Sequence, residues 1–190
     1  PMPILKCASH IISKTLSEIF NVSVTKGIYP QKLKIAKVIP VFKSEDETDL
    51  NNYRPISLSS IFNRIFGKLM YKCLKLFLDK NVIHKSQYRF REKHTTEHAI
   101  IDIINKIQTN MDSKLFSCGV FIDLRKAFDT VLDHNILLNK LHHYGIRGII
   151  NTWFASYLKG REQTTEINNK ISEKQVTLCG VPQGSVLGPL

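Results

Sequence analysis

Residues 60–79 constrain the fold most. Ile61, Phe62, Ile65, Phe66, Leu69, Met70, Cys73, Leu74, Phe77 and Leu78 recur at helical spacing and form one wide apolar stripe. Ser59 or Ser60 can cap its start. Such a helix is stable only when its stripe is buried against other elements, so the chain must build a core. Composition allows this, because 43% of the 190 residues are hydrophobic, which excludes a disordered tail. Lys, Asn or Arg interrupts every long apolar run, so no membrane span is expected.

The other elements fall on both sides of this helix. Residues 4–26 read as a helix stopped by Gly27, and 36–42 as a short strand. An acidic, polar loop follows over 44–52. A second amphipathic helix is expected from about Thr96 to Met111, with Ile100, Ile103, Ile104 and Ile107 on one face. The run Phe116–Ile122 reads as a buried strand ending at Asp123. Asp133 can cap a helix from His134 to Tyr144 that Gly145 ends, and Ile149–Leu158 is another short helix. Glu162–Ile167 and Lys174–Leu178 read as a hairpin turning at Asn168-Asn169. Helices and strands mix without regular βαβ alternation, which gives an α+β fold class.

Charge and cysteine usage narrow the setting. The formal net charge is +11, with +9 of it in residues 1–100. A basic surface of this kind favours a polyanion, with nucleic acid first. Cys7, Cys73, Cys118 and Cys179 are far apart and form no C-x-x-C pair, which excludes a zinc ribbon. A reducing, intracellular setting is expected, nucleus or cytoplasm. No signal peptide is read at Pro1-Met2-Pro3-Ile4, and the chain reads as cut at both ends.

Three stretches can carry chemistry. A carboxylate at the end of an apolar strand, as at Asp123, is costly to bury unless it binds something, and hard cations such as Mg²⁺ take carboxylate oxygens. Gly180-Val181-Pro182-Gln183-Gly184-Ser185 forms a tight loop that lets backbone approach a ligand closely. Lys43 and Arg54 flank the acidic loop and can reach phosphate oxygens, Arg bidentately and Lys as a point charge. Taken singly, each has a plain structural reading: a strand end, a loop before a helix, a solvated surface. His94-Thr95-Thr96-Glu97-His98 offers a competing chemistry. It fits the H-x-x-E-H pattern of a zinc metallopeptidase, with His94 and His98 as ligands and Glu97 as base, although no third ligand can be identified.

The order of the motifs is more specific than any one of them. Asn-Tyr-Arg-Pro-Ile-Ser-Leu (52–58) is followed by Gln-Tyr-Arg-Phe-Arg (87–91), Val-Phe-Ile-Asp-Leu-Arg-Lys-Ala-Phe-Asp-Thr (120–130) and Gly-Val-Pro-Gln-Gly-Ser-Val-Leu-Gly-Pro-Leu (180–190). This series resembles the reverse transcriptases of non-LTR retrotransposons, the jockey-like group in particular, from about Leu5 onward.

The resemblance implies a right-hand polymerase, with fingers over about 1–115 and an incomplete palm over about 116–190. It implies RNA-directed DNA polymerisation with two Mg²⁺ ions, an RNA template, a DNA primer and dNTPs. Asp123 matches the first catalytic aspartate, and Leu124 the residue whose carbonyl also reaches a metal. Phe128 matches the aromatic gate against a 2′-hydroxyl. Gln183 and Gly184 match the loop lining the nascent base pair. Lys43 and Arg54 match the residues that hold the triphosphate, and Arg91 falls in the second fingers motif.

Two departures stand out. Arg89 stands where the family usually has Gly, and Val131–His134 runs one residue long. The Tyr-x-Asp-Asp box is absent from these 190 residues, so by themselves they are expected to bind nucleic acid without polymerising.

Overall fold

The computed structural model describes residues 2–123, 133–177, 180–181 and 184–188. It shows a mixed α+β fold with one twisted sheet and six helices among the described residues. Helices α1 (Met2–Cys7) and α2 (Ser9–Lys26) open the chain. Gly27 ends α2 at φ 64°, the left-handed conformation that glycine adopts without strain. A side chain there would also press against the Ile149 carbonyl. After a 3-10 turn, strand β1 (Ile35–Phe42) runs antiparallel to β2 (Tyr53–Ser59). Helix α3 (Ile61–Asn81) follows with the expected cap, because the Ser60 side chain accepts from Asn63 N. Helix α4 (Thr96–Asp112) and the pair α5 (His134–His143) and α6 (Gly148–Leu158) lead to β3 (Arg161–Ile167), β4 (Lys170–Ile171) and β5 (Gln175–Thr177). The strand order is β2-β1-β3-β4, with β5 also on β3 and β1 parallel to β3.

An aromatic cluster holds the helices together. Phe20 stacks on Phe66 at 4.2 Å, and Trp153, fully buried, lies parallel to Tyr157. Tyr29 meets the edges of both Trp153 and Tyr157. The polar tips inside this core are satisfied. Trp153 Nε1 donates to Ser23 Oγ, which donates to the Ile28 carbonyl at 2.6 Å. The Tyr29 hydroxyl donates to Asn63 Oδ1 at 2.7 Å, and Asn63 Nδ2 donates to the Leu33 carbonyl.

Four points differ from the reading of the sequence or add to it. Strand β2 was not foreseen, because Pro55 sits within it. Lys43 N donates to Asn52 O, which makes 43/52, 41/54 and 39/56 the hydrogen-bonded positions of the β1–β2 ladder. Pro40 and Pro55 therefore face each other at a position that needs no ladder donor, and β2 is an edge.

The run 116–122 is not a buried strand. It joins no strand ladder among the described residues, and Phe116, Val120, Phe121 and Ile122 are 81–104% exposed. Its apolar side chains have no covering element among the described residues. Third, the isoleucine face of α4 is exposed, and the helix buries no residue.

Finally, the hairpin turns at Asn168-Asn169 as expected, both at positive φ, but its return limb is split. It comprises β4, then β5 after 172–174. Ser172 bridges the gap, its N–H donating to Thr165 O and its hydroxyl accepting from Thr165 N.

Candidate nucleotide and nucleic-acid interface

The β1–β2 ladder determines where the basic pair points. Side chains directly opposite in an antiparallel pair share a face, as do residues two apart on one strand. Arg54 lies opposite Val41, and Lys43 is two residues beyond Val41, so Lys43 and Arg54 share one face as diagonal neighbours. Both are exposed, and among the described residues neither side chain makes an ion pair or hydrogen bond.

The acidic loop between them does not neutralise them. Asp46 accepts from Thr48 N and Oγ1, and these bonds, the backbone one first, hold its carboxyl below the usual range. Asp49 accepts from Asn51 N and caps the 3-10 turn Leu50–Asn52. Tyr53 donates its hydroxyl to the Glu47 carbonyl. Two of the loop's acids thus serve to shape it, and the two cations are left facing outward.

Gly184 comes to the same face. A Cβ built on it would lie 3.7 Å from Ile56 Cγ2 and 3.5 Å from the Ser57 carbonyl, and Ile56 is two residues from Arg54. Its φ of 91° favours glycine. Three contacts anchor this segment. Leu187 enters the aromatic core. Val186 lies against Gly67 of α3, where a Cβ would come within 3.3 Å. His134 donates to the Gly180 carbonyl at 2.8 Å, which needs the proton on Nε2. The structure thus brings Lys43, Arg54 and Gly184 together. His134 and Gly67 were missed as anchors. The Asp133 cap placed His134 at a helix start, but nothing in the sequence linked it to Gly180.

Asp123 ends the exposed run 116–123 and makes no hydrogen bond or ion pair among the described residues. Leu124, Phe128 and Gln183 lie outside the described residues. No group of three or more His, Cys, Asp or Glu among the described residues could hold a metal ion. Asp123 offers one hard oxygen donor of the type Mg²⁺ takes, so it suits such an ion without completing its shell.

Arg91 is a structural brace. Its Nη1 donates to the carbonyls of His84, Lys85 and Gln87, and Asp79 Oδ1 lies 3.9 Å from its Nε. Near Arg89 the positive φ falls on the next residue, Phe90, so Arg89 itself meets no such strain. The zinc reading of 94–98 does not hold. His94 precedes the cap of α4 and points Nδ1 at the Glu92 carbonyl, so the two histidines do not share a helical face. His98 Nδ1 is occupied by Thr95 N in a capping box. The Thr95 hydroxyl, ahead of the helix N–H, holds the Glu97 carboxyl below its usual range, which opposes a role as base.

Comparison with known proteins identifies the family. Residues 42–190 match the family described as reverse transcriptase (RNA-dependent DNA polymerase). The probable RNA-directed DNA polymerase from transposon BS of Drosophila melanogaster is 31% identical over 92% of this chain. The RNA-directed DNA polymerase from mobile element jockey of the same fly is 30% identical, also over 92%. That from its transposon X-element is 29% identical over 90%. The chain spans 19% of the length of each of these curated relatives. No helix among the described residues is long and apolar enough to cross a membrane. The chain belongs to the reverse transcriptase family.

Proposed function

We propose that this chain forms the nucleotide- and template-facing part of an RNA-directed DNA polymerase of a mobile element. Residues of about 1–115 serve as fingers and about 116–190 as palm. The observation that carries the reading is the shared face of Lys43, Arg54 and Gly184. Two uncommitted cations there meet the charge of a dNTP triphosphate, and a glycine backbone closes beside them. Phe128 and Gln183 border the sugar and the base of the incoming nucleotide. RNA template and DNA primer bind the basic surface.

Asp123 and the Leu124 carbonyl would hold a divalent ion, Mg²⁺ in this reading. The ion supplies charge neutralisation at the transferring phosphoryl group. The chain's own residues position the reactants: Lys43 and Arg54 orient the triphosphate, and the 180–188 segment limits the space for the base pair. With Asp123 as the one candidate metal carboxylate among the described residues, the isolated 190 residues bind nucleic acid without extending a primer.

Three measurements test this. Anisotropy of a labelled RNA–DNA hybrid is followed across KCl concentrations. Log affinity falls with log salt at a slope of roughly −0.7 to −0.9 per phosphate contact. A flat response would remove the nucleic-acid reading. A photoreactive dNTP analogue, cross-linked in the presence of the hybrid and mapped by peptide mass, labels 43–54. Label confined elsewhere would overturn the assignment of Lys43 and Arg54. Primer extension by the isolated chain that Asp123→Asn abolishes would show that these residues already complete a metal site.

A further inference from the structure

Lys34 and Arg161 are two buried cations for which the proposed chemistry has no use. Lys34 is 7% exposed and Arg161 4%. They are neighbours across the start of the β1–β3 ladder: Ile35 pairs with Glu162, and Glu162 N donates to the Lys34 carbonyl. They lie one position earlier on each strand, on the face that carries Ala36 and Val38. No carboxylate pairs with either among the described residues.

Their partners among the described residues are few. Lys34 Nζ donates to the Lys159 carbonyl at 3.0 Å, and Arg161 Nη1 to the Tyr157 carbonyl at 3.3 Å. The guanidinium also lies over the Tyr157 ring, 4.9 Å from its centre. Both carbonyls belong to the C-terminal end of α6, so the plain reading is a pair of cations capping a helix. The magnitudes do not balance. A helix C-terminus offers roughly half a negative charge, and the pair brings two positive ones. An uncompensated buried charge is strongly destabilising. Burial first, and the Arg161 charge second, push the Lys34 ammonium down from its ordinary value.

The pair is still within reach from outside. The one buried side-chain polar atom without a hydrogen-bond partner among the described residues is Asp79 Oδ1, so the Arg161 donors not used on Tyr157 keep some contact with solvent. Gln31 and Lys159, both exposed, flank the pair: Gln31 Nε2 donates to the Gly160 carbonyl, and the Lys159 carbonyl accepts from Lys34 Nζ.

We propose that Lys34 and Arg161 form a phosphate-binding notch that holds a backbone phosphate of a bound nucleic-acid strand, distinct from the Lys43–Arg54 face. A phosphate monoanion or dianion supplies the charge that α6 leaves unmatched, and the guanidinium fork suits its oxygens. The proposal rests on the reading that the chain binds nucleic acid, and its test separates the two.

In the first arm, thermal unfolding of the wild-type chain is measured in inorganic phosphate and in chloride of equal ionic strength. Phosphate raises Tm in the wild type and gives no such rise in Lys34→Met, which keeps the apolar stem and removes the charge. In the second arm, the salt slope for the RNA–DNA hybrid becomes shallower by about 1 in Lys34→Met, and Arg161→Lys, which keeps the charge, stays closer to wild type. No phosphate-specific rise in the wild type would overturn the notch. A phosphate rise with an unchanged salt slope would overturn the strand assignment and leave a site for free phosphate. Absence of hybrid binding by the wild type would instead defeat the nucleic-acid reading, and the phosphate arm would still decide the notch.

Discussion

Segments 116–123 and 180–188 both carry residues assigned above to the proposed site, and both have apolar side chains beside glycine, yet their surroundings differ. The second is fixed at three points: Leu187 in the aromatic core, Val186 against Gly67, and the Gly180 carbonyl on His134. The first has Phe121 at 90% exposure and no ladder partner among the described residues. Apolarity is therefore not what orders a segment. The second segment has a receiving surface whose shape and polar groups match it. In the reading proposed above, Gly184 is held beside the nucleotide face, while Asp123 ends an apolar run that nothing described covers.

The comparison breaks most strongly at Leu187. Leu187→Ala removes a buried side chain from the shared core and should cost about 2–5 kcal/mol in urea unfolding, depending on how far the site collapses. A loss under about 0.5 kcal/mol would show that the 180–188 segment is not seated there in solution.

The core that receives Leu187 supplies the second test. Tyr29 is 2% exposed, and burial first, then Tyr157, push its phenol up from its ordinary value of 10.0, with Arg161 opposing. The folded value lies above the unfolded one. The resulting stability is fully present below pH 10 and is lost as pH rises from there, by about 1.4 kcal/mol per pH unit. Tyr29→Phe should remove that alkaline component. At pH 7 it should cost about 1–3 kcal/mol, because Asn63 Oδ1 loses its donor. Urea unfolding of both proteins at pH 7, 9.5 and 11 checks this. Parallel alkaline losses in the two would show that the phenol is not the group responsible.

These contrasts explain what could be read from the sequence. Helices were legible because their signals are local: the α3 stripe, the Ser60 and Asp133 caps, and the stops at Gly27 and Gly145. The Asn168-Asn169 turn was legible for the same reason. Strand β2 was not, since tolerance of Pro55 depends on its place in a ladder and at an edge, which only pairing defines. The run 116–122 has strand composition, but composition does not supply a partner. In the proposed site, motif order singles out Lys43, Arg54 and Gly184; the shared face of Lys43 and Arg54 follows from register, and Gly184 reaches it through a tertiary contact with Ile56. Lys34 and Arg161 lie 127 positions apart and become neighbours only through a parallel pairing.

His134 offers a smaller test of the anchored side. His134→Ala removes the donor to Gly180 and should cost about 0.5–1.5 kcal/mol. His134→Gln keeps a donor on a different stem and should recover part of it. The sharper readout is proteolysis within 180–188, which should quicken in the alanine variant before global unfolding does. Unchanged cleavage would mean that Leu187 and Val186 hold the segment without help from α5.

Phe121 carries the smallest expected effect on stability. Its ring is 90% exposed, so Phe121→Ala removes almost no buried surface and should change urea unfolding by less than about 0.5 kcal/mol. The side chain matters instead for association. Phe116, Val120, Phe121 and Ile122 form an exposed apolar stretch without a ladder partner among the described residues, the kind of extended segment that pairs with another chain. Phe121→Ser should therefore reduce concentration-dependent self-association, read by light scattering or sedimentation, with Tm nearly unchanged. Leu187→Ser, matched in chemistry, should do the reverse, lowering Tm and increasing association. If Phe121→Ala instead costs as much as Leu187→Ala, residues 116–123 are packed in solution, and the contrast between the two segments fails.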